Sequence, residues 1–384
     1  MSLPGLKRLL DQKRNPPSPA TQPFTGLTIL ITGATSGLGL EACKKLAALN
    51  VERLIITGRT NAKGQAAKRE IEESLKSTPK NSTTSPSTPE IIPLVLDMDS
   101  FSSVQDFVTT LQSRFPAIDG AILNAGLMMK KYSVSHDGWE ETIQVNVLST
   151  ILLGVLLLPV LLATAAAKSR SQSSNNVYKP HLTFVSSDLA NTMKPEKMRA
   201  FIASESPLEA LSAPINFPPG VAGGSIQYAR SKLVLEHAVR HLAASSSSAV
   251  TIQGSSMSLD GGQQHQGQGQ QQQQQHPKVI INTVCPGMCK SGLGRQMKGN
   301  PIFKFFAWLF YAVFARTAEQ GANSYMTALL VGDEMHGQMW KDDRIYEVGP
   351  MIVGPEGREF GDKVWNEVRQ VILKADSRTK PFLP

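Results

Sequence analysis

Short apolar runs rich in β-branched residues alternate along this chain with longer segments whose apolar residues recur at helical spacing. The runs predict strands at 27–32, 53–60, 91–96, 118–123, 181–185 and 279–284, with an edge strand near 346–353. The helical pattern occurs at 40–49, 66–76, 147–167, 227–244 and 362–374. Strands that alternate with helices predict an α/β fold: a doubly wound, mostly parallel sheet of about seven strands with helices on both faces.

Polar and low-complexity stretches divide the chain into one domain with surface inserts. We expect a flexible N-terminal lead at 1–24, the folded domain at 25–375 and a tail at 376–384. Inserts are expected at about 77–90, 190–224 and 245–277. The last is rich in Ser, Gly and Gln and cannot build a core, so it is predicted to be disordered.

A glycine turn joins the first strand to the first helix of the domain. Gly33, Gly37 and Gly39 fall within seven residues, and Thr35, Ser36 and Leu38 lie between them. Glycines allow a tight turn and a close approach to the backbone, and amides at a helix start attract negative charge. The turn therefore predicts a pyrophosphate site, and the alternative is a plain tight turn.

Arg59 occupies the position where many dinucleotide-binding proteins carry an acidic residue. It lies about 20 residues after the glycines, where an acid would bind the ribose 2′-hydroxyl. A guanidinium suits a 2′-phosphate instead, so the chain is predicted to prefer NADP(H) over NAD(H). The alternative is a solvated surface arginine.

Asp97 ends the third strand and is a candidate for the adenine amino group. A carboxylate there could equally cap the helix that begins near Phe101. Because Asp99 and Ser100 stand closer to that helix, they are the favoured caps, and Asp97 is assigned to the cofactor.

Composition excludes several classes of protein. The formal net charge is +8, but no dense basic run with interleaved aromatics indicates nucleic acid. Cys43, Cys285 and Cys289 predict neither a disulfide framework nor a metal site, which suits the cytoplasm.

Two apolar stretches raise the question of membranes. Residues 147–167 are long enough to span a bilayer, but their place between two strands predicts a buried helix. Residues 302–315 are aromatic and apolar, and could either contact a bilayer surface or form a buried lobe or lid over the site.

Further motifs, taken together, resemble the short-chain dehydrogenase/reductase family in its compact, single-domain branch. They occur in the family's order over about residues 25–375, and the segment from Arg316 to Ala322 is similar to the retinol-dehydrogenase-like members. The matching residues are Thr32, Gly33, Gly37, Gly39, Asn124, Ala125, Gly126, Asn146, Ser187, Tyr228, Lys232, Pro286, Gly287 and Ser291. The resemblance implies a Rossmann fold, with Asn124–Gly126, Pro286, Gly287 and Ser291 at the cofactor.

The resemblance also implies a catalytic set. Tyr228 would give a proton to a carbonyl oxygen, and Lys232, one helical turn on, would lower the pKa of Tyr228 and hold the nicotinamide ribose. Ser187, rather than Ser186, would bind the substrate oxygen. Asn146 would kink its helix and support a water that relays protons to Lys232.

The implied function is an NADP(H)-dependent oxidoreductase acting on a carbonyl or alcohol of a fairly large apolar small molecule. A lobe at about 288–320 would shape the substrate site, and the long insert beside it places Ser187 and Tyr228 41 positions apart. The alternative is a catalytically silent NADP(H)-binding regulator or interaction protein. Relatives also imply a homodimer or homotetramer, formed through the helix at 147–167.

Overall fold

A single sheet of eight strands forms the centre of the chain. The computed structural model describes residues 3–76, 88–171, 178–220, 222–253, 276–290, 292–294 and 309–383. The strands are β1 (Thr28–Ile31), β2 (Arg53–Gly58), β3 (Glu90–Val95), β4 (Gly120–Leu123), β5 (His181–Val185), β6 (Ile280–Val284), β7 (Met339–Lys341) and β8 (Arg344–Ile345).

The strand order is β3-β2-β1-β4-β5-β6-β7-β8. Every pair is parallel except β7 with β8. Thr28 pairs with Arg53 on one side of β1, and Ile29 pairs with Gly120 on the other. The order reverses between β1 and β4, so a crevice opens at the carboxyl ends of these two strands.

Helices connect the strands. The α-helices whose two ends lie in the described part of the chain include α1 (Leu3–Arg14), α2 (Gly37–Ala48), α3 (Asn61–Lys76), α4 (Phe101–Arg114), α5 (Ser149–Ser171), α6 (Pro195–Ile202), α7 (Pro207–Ser212), α8 (Gly223–Gln253), α9 (Ala318–Ala328), α10 (Pro350–Val353) and α11 (Pro355–Ala375). Residues 309–314 are helical as well. A short helix (Glu141–Ile143) and a π-helical segment (Gln144–Leu148) lead into α5. 3₁₀ turns occur at Asp188–Thr192, Pro214–Asn216, Gly292–Gly294, Asp333–Met335 and Ser377–Phe382.

The sheet is covered on both faces, which confirms the predicted doubly wound α/β fold. Ile29 and Ile31 of β1 pack into a core with α2, α3 and α9. Leu30, between them, points to the other face and packs into a core with α4, α5 and α8. Because successive strand residues point to opposite faces, a strand buried on both sides reads as a continuous apolar run.

Helix α5 contains most of the long apolar stretch at 147–167, and it lies inside the domain. The helical stretch Glu141–Arg170 is apolar and long enough to cross a membrane, but 83% of its most apolar window is buried within the protein. Pro159 is on its exposed side. The prediction of a packed helix between two strands is therefore confirmed.

The far edge of the sheet differs from the prediction of about seven strands. Strands β7 and β8 form a hairpin at 339–345, ahead of the predicted edge strand at 346–353. Asp342 and Asp343 make its two-residue turn, both with positive φ (51° and 55°), as a type I′ turn requires. Half of the predicted strand, 350–353, is helix α10, whose first position is occupied by Pro350, and 346–349 are neither strand nor helix.

The N-terminal lead and the inserts also differ from expectation in part. Residues 3–14 form helix α1, in place of a flexible lead. The 190–224 insert folds into α6, α7 and two 3₁₀ turns, and α8 continues to Gln253 into the insert predicted to be disordered. Residues 77–87 and 254–275 lie outside the described residues, as do 291 and 295–308 of the predicted lobe and aromatic stretch.

Candidate active site

The loops that leave β1 and β4 meet in the crevice at the strand switch. Asn124, directly after β4, donates from Nδ2 to the carbonyl oxygens of Thr32 (2.9 Å) and Gly33 (3.2 Å). The amide of Ala125 donates to Thr32 Oγ1 at 2.9 Å. The glycine turn and the segment 124–126 thus form one hydrogen-bonded unit, as their shared place in the predicted cofactor site requires.

Two of the glycines are needed because these loops are in contact. Gly33 has a φ of +64°, a conformation that residues with a Cβ rarely adopt. A Cβ on Gly39 would lie 2.5 Å from Gly33 O and 2.6 Å from Asn124 Nδ2. These contacts are within the protein, so the glycines are explained by loop packing as well as by access for a phosphate.

The start of α2 has the donor chemistry that a pyrophosphate needs. Ser36 is the N-cap in an extended conformation, and its side chain does not cap the helix by accepting a hydrogen bond from its first amides. Thr35, Gly37 and Leu38 are half-buried beside it. The first amides of a helix usually find a side-chain cap or an anion, so this end fits an anionic ligand.

Arg59 and Asp97 lie at the ends of the two strands beyond β1. Arg59 directly follows β2 and is exposed. A Cβ on the preceding Gly58 would lie 2.6 Å from Thr35 Cγ2, so this strand end borders the glycine turn. Asp97 is half-buried, and its Oδ1 accepts from the amide of Asp99 at 3.2 Å. Ser100 is the N-cap of α4, one of the two caps the sequence predicted.

Tyr228 and Lys232 lie one turn apart on α8 and are both buried. Lys232 Nζ is 5.6 Å from the centroid of the Tyr228 ring and donates to the carbonyl oxygen of Val185 at 2.8 Å. Ser187, two residues after Val185, lies close enough to the Tyr228 side chain to act on its pKa. Three of the four predicted catalytic residues therefore meet at the end of β5.

Burial dominates the ionisation of this pair. It raises the pKa of Tyr228, and Cys285 and Asp188 raise it further, while Ser187 opposes them. Burial lowers the pKa of Lys232 to about 8, against the opposing effects of Glu236 and Cys285. The predicted lowering of the tyrosine pKa by Lys232 and a bound nicotinamide ring stays a prediction, and it would have to overcome the effect of burial.

Asn146 sits in the π-helical segment ahead of α5, where the Ser149 amide donates five residues back to Gln144. The predicted distortion of the helix at Asn146 therefore matches the structure. Asn146 Nδ2 donates to Leu127 O (2.9 Å) and Ser231 Oγ (3.0 Å), and its Oδ1 accepts from the Leu127 amide (2.9 Å). The side chain anchors the loop after β4 to α8.

Gly126 lies between Asn146 and Lys232. A Cβ built on it would be 3.1 Å from Asn146 Oδ1 and 3.9 Å from Lys232 Nζ. The two predicted members of a proton relay therefore approach the same exposed glycine from two elements. The structure gives no direct hydrogen bond between them among the described residues, and the relay remains a prediction.

The turn after β6 closes the site on its other side. The Cys285 thiol accepts from the Asp188 amide (3.2 Å), so the Pro286–Gly287 turn borders the Ser187 turn. Arg316, only 1% exposed, donates from Nη1 to Pro286 O at 3.2 Å. Ser291, the last predicted cofactor residue, lies outside the described residues.

Four residues at the site were not predicted. Tyr325 of α9 is buried, and its hydroxyl donates to Asn124 Oδ1 at 2.8 Å. Asp188, Arg316 and Lys341 form ion pairs around the Ser187 and Pro286 turns. Asp188 adjoins a predicted serine, but the sequence gives no sign that the two cations are buried, because their partners are far away in the chain.

Comparisons with known proteins agree with this geometry. The family model for short chain dehydrogenases matches residues 27–172. The short-chain dehydrogenase/reductase ffsI of Aspergillus flavipes is 33% identical over 371 residues, which cover 96% of this chain and 93% of the relative. The short-chain dehydrogenase/reductase phmF of Phaeosphaeria nodorum is 33% identical over 374 residues, covering 97% and 94%.

Solved structures show the same fold at low identity. A short-chain dehydrogenase/reductase from Saccharomyces cerevisiae has a TM-score of 0.52 and 17% identity, covering 83% of this chain and 97% of its own. A short chain dehydrogenase from Salmonella enterica has a TM-score of 0.51 and 18% identity, covering 85% and 100%. At these identities the likeness concerns the architecture alone.

Proposed function

Because the chain belongs to the short-chain dehydrogenase/reductase family, a family of oxidoreductases, we propose that it interconverts a carbonyl group and the corresponding alcohol with NADP(H). The observation that carries the proposal is the buried Tyr228 side chain, one helical turn from the buried Lys232, whose Nζ lies 5.6 Å from the Tyr228 ring centroid, with Ser187 beside both. A proton donor, a hydrogen-bonding serine and a cation then converge where a reacting oxygen can bind.

The cofactor would be held by residues from four loops. The amides at the start of α2 suit the pyrophosphate, and Asn124–Gly126 with Pro286, Gly287 and Ser291 would border the nicotinamide half. Arg59 would pair with the 2′-phosphate, and Asp97 would meet the adenine amino group. When bound, the nicotinamide gives a hydride to the substrate carbon or takes one from it.

Tyr228 would supply the proton that a reduced carbonyl oxygen needs. Its pKa is raised by burial, so the hydroxyl keeps its proton at neutral pH and is ready to donate it. Ser187 would hydrogen-bond the same oxygen and hold it near the phenol. Lys232, charged below its pKa of about 8, would stabilise the phenolate left after the transfer.

The substrate we propose is a fairly large apolar molecule. Leu189 is 38% exposed only two residues after Ser187. Leu309 and Val313, on the helical segment that leads to Arg316, are 42% and 40% exposed. Exposed apolar side chains on the segments that carry Ser187 and lead to Arg316 favour an apolar ligand. Cytoplasmic localisation is part of the same proposal, and for 302–315 a lobe or lid over the site is favoured over contact with a membrane surface.

The test combines cofactor titration with turnover. We expect wild-type protein to bind NADPH more tightly than NADH and to reduce members of a panel of apolar ketones and aldehydes. Tyr228→Phe should lose about 10²–10⁴-fold in kcat while still binding NADPH, because only the proton donor is removed. Arg59→Ala should weaken NADPH binding about tenfold or more and leave NADH unchanged, because a charge-assisted hydrogen bond is lost.

Arg69→Ala is the matched control, since it removes an equally exposed cation from the neighbouring helix α3. Full turnover in Tyr228→Phe would contradict the proton role. NADPH binding without turnover on any carbonyl would favour the regulator alternative. Equal affinity of wild type and Arg59→Ala for NADPH would contradict the 2′-phosphate assignment.

A further inference from the structure

Helix α1 reaches the reaction centre through a cluster of charges. Asp188, the residue after Ser187, accepts at Oδ2 from Lys341 Nζ (2.6 Å) and from Arg8 Nη2 (3.0 Å). Lys341, on β7, is fully buried, whereas the Arg8 side chain is half exposed. Both cations also lie over the ring of Tyr346, at 4.6 and 5.7 Å from its centroid. Arg8 donates to the Tyr346 hydroxyl as well.

A second buried cation ties the end of α1 to the opposite turn of the site. Arg316 donates to the carbonyl oxygens of Gln12 (2.7 Å) and Asn15 (2.8 Å) and to that of Pro286 (3.2 Å). Asp342 pairs with its Nη2 at 2.7 Å. A cation at the carbonyl end of a helix is favourable, and burial makes each of these contacts costly to lose.

The two turns that α1 contacts are the two that flank the proposed reaction centre. Ser187 begins the 3₁₀ turn Asp188–Thr192, and the Asp188 amide donates to the Cys285 thiol just before Pro286. Fixing the Asp188 side chain therefore also fixes the backbone that carries Ser187. No other charged partner of the Asp188 carboxylate is found in the part of the chain that the structure describes.

We propose that Arg8 and Lys341 are positioning residues which, through Asp188, hold Ser187 and tune the charge beside Tyr228. Helix α1 is then a wall of the active site rather than a lead into the domain. This inference rests on the proposed function, because it assigns the cluster to the proton-transfer side of that same site.

The proposed effect of Arg8 and Lys341 on the charge beside Tyr228 follows from the groups that face this tyrosine. They are Lys232 on its own helix, Asp188 after β5, Cys285 after β6 and Tyr325 on α9. The Asp188 carboxylate raises the pKa of Tyr228, and Arg8 and Lys341 hold that carboxylate in its charged form while offsetting its field. Removing the Arg8 cation leaves Asp188 less neutralised, so the Tyr228 phenolate becomes harder to form.

The test compares Arg8→Ala with Lys7→Ala in the full chain. Lys7 is an exposed cation one residue earlier on α1, so its loss makes the same charge change away from Asp188. The Arg8 variant should lower kcat about tenfold, since small displacements at a reaction centre are costly. It should also move the acidic limb of kcat/KM for alcohol oxidation, which reports Tyr228 as the base, up by roughly half a pH unit. Arg8→Lys should restore most of both, and Lys7→Ala should match wild type.

Hydrogen exchange of the peptide 186–192 gives a readout that does not depend on turnover. Faster exchange there in Arg8→Ala, together with lower kcat and the shifted profile, supports the proposal. Faster exchange with unchanged kinetics means a purely structural contact and overturns it, as does a variant that matches Lys7→Ala throughout. Wild-type protein that turns over no carbonyl or alcohol overturns the proposed function first and this inference with it, which distinguishes the two failures.

Discussion

Lys232 is an ammonium group that the fold keeps out of water. Burial lowers its pKa to about 8, although Glu236, one turn further along α8, and Cys285 act in the opposite direction. Within the described residues its ammonium group donates to a backbone acceptor, the Val185 carbonyl oxygen. A lysine in this setting changes its charge within the pH range of ordinary assays.

This pKa predicts the pH dependence of carbonyl reduction. Below about pH 8 Lys232 is charged and can stabilise the phenolate that Tyr228 becomes, and above it the charge is lost. We expect kcat/KM, which reports groups of the free enzyme, to fall about tenfold per pH unit above pH 8. Tyr228 does not mask this step, because burial raises its own pKa.

The measurement is a pH profile of kcat/KM in wild type and in Glu236→Gln. Removing the Glu236 carboxylate removes an effect that raises the pKa of Lys232, so the inflection should move to lower pH. Glu359→Gln, at an exposed position on α11, is the control and should leave the profile unchanged. A profile that stays flat to pH 9 would contradict the assignment.

At the residue scale, spacing along the chain predicted contacts between residues close in sequence and missed contacts between distant residues. Tyr228 and Lys232 are four residues apart on one helix, so their proximity follows from helical geometry. Asn124 could be placed at the cofactor, but its hydroxyl partner Tyr325 lies 201 residues away. Arg316 and Lys341 look like ordinary surface cations in the sequence, because burial of a charge depends on partners that only the fold supplies.

At the scale of elements, helix α11 holds the long insert between Ser187 and Tyr228 in place. Glu367 accepts from the amides of Leu208 (2.8 Å) and Glu209 (3.2 Å) at the start of α7. Lys363 donates to Ile202 O at the end of α6 (2.7 Å). The sequence predicted only an insert there. The short helices persist because a distant helix satisfies their ends.

Helix α11 packs so closely on α8 that one position requires glycine. A Cβ on Gly361 would lie 2.3 Å from Nδ1 of His237, whose Nε2 is held by Met351 O at 2.8 Å. The ring cannot move aside without losing that contact. We expect Gly361→Ala to lower the free energy of unfolding by about 1–3 kcal/mol, as overpacked cores do.

Urea unfolding, followed by circular dichroism, measures this change. Asn366→Ala, at an exposed position of the same helix, is the control and should leave the midpoint within experimental error or raise it slightly, because alanine is the better helix former. An unchanged midpoint in Gly361→Ala would show that α11 can shift away from α8, and the close packing would then not limit stability.

At the scale of the whole molecule, alternation of strands and helices was enough to predict the doubly wound sheet. The hairpin β7–β8 was missed because its strands have three and two residues, too short to show a pattern. Its turn is made by two aspartates in place of the Asn-Gly or Asp-Gly pairs that mark such turns. Helix α1 was missed because the partners that hold it in place lie 180 (Asp188) and 304 (Arg316) residues further along the chain.

The exposed face of helix α5 bears on whether the protein forms homo-oligomers. The sequence predicted a homodimer or homotetramer formed through the helix at 147–167. In the structure α5 packs against α4, α8 and the 3₁₀ turn Ser377–Phe382, and its large apolar residues from Ile151 to Leu161 are buried within the chain. The exposed positions on α5 from 159 to 167 are Pro159 and three alanines, at 163, 166 and 167. That face offers little apolar surface to a second copy.

We therefore predict that the protein in solution has the mass of a single chain, 41.6 kDa. A stable dimer needs roughly 800 Å² of well-packed surface from each partner. The apolar side of α5 is already buried in the chain's own core. Light scattering on a sizing column, over a dilution series from about 50 to 0.5 µM protein, measures the mass. A mass of twice or four times one chain would contradict the prediction. Slower hydrogen exchange of α5 at high than at low protein concentration would then show that this helix, rather than another face, forms the contact.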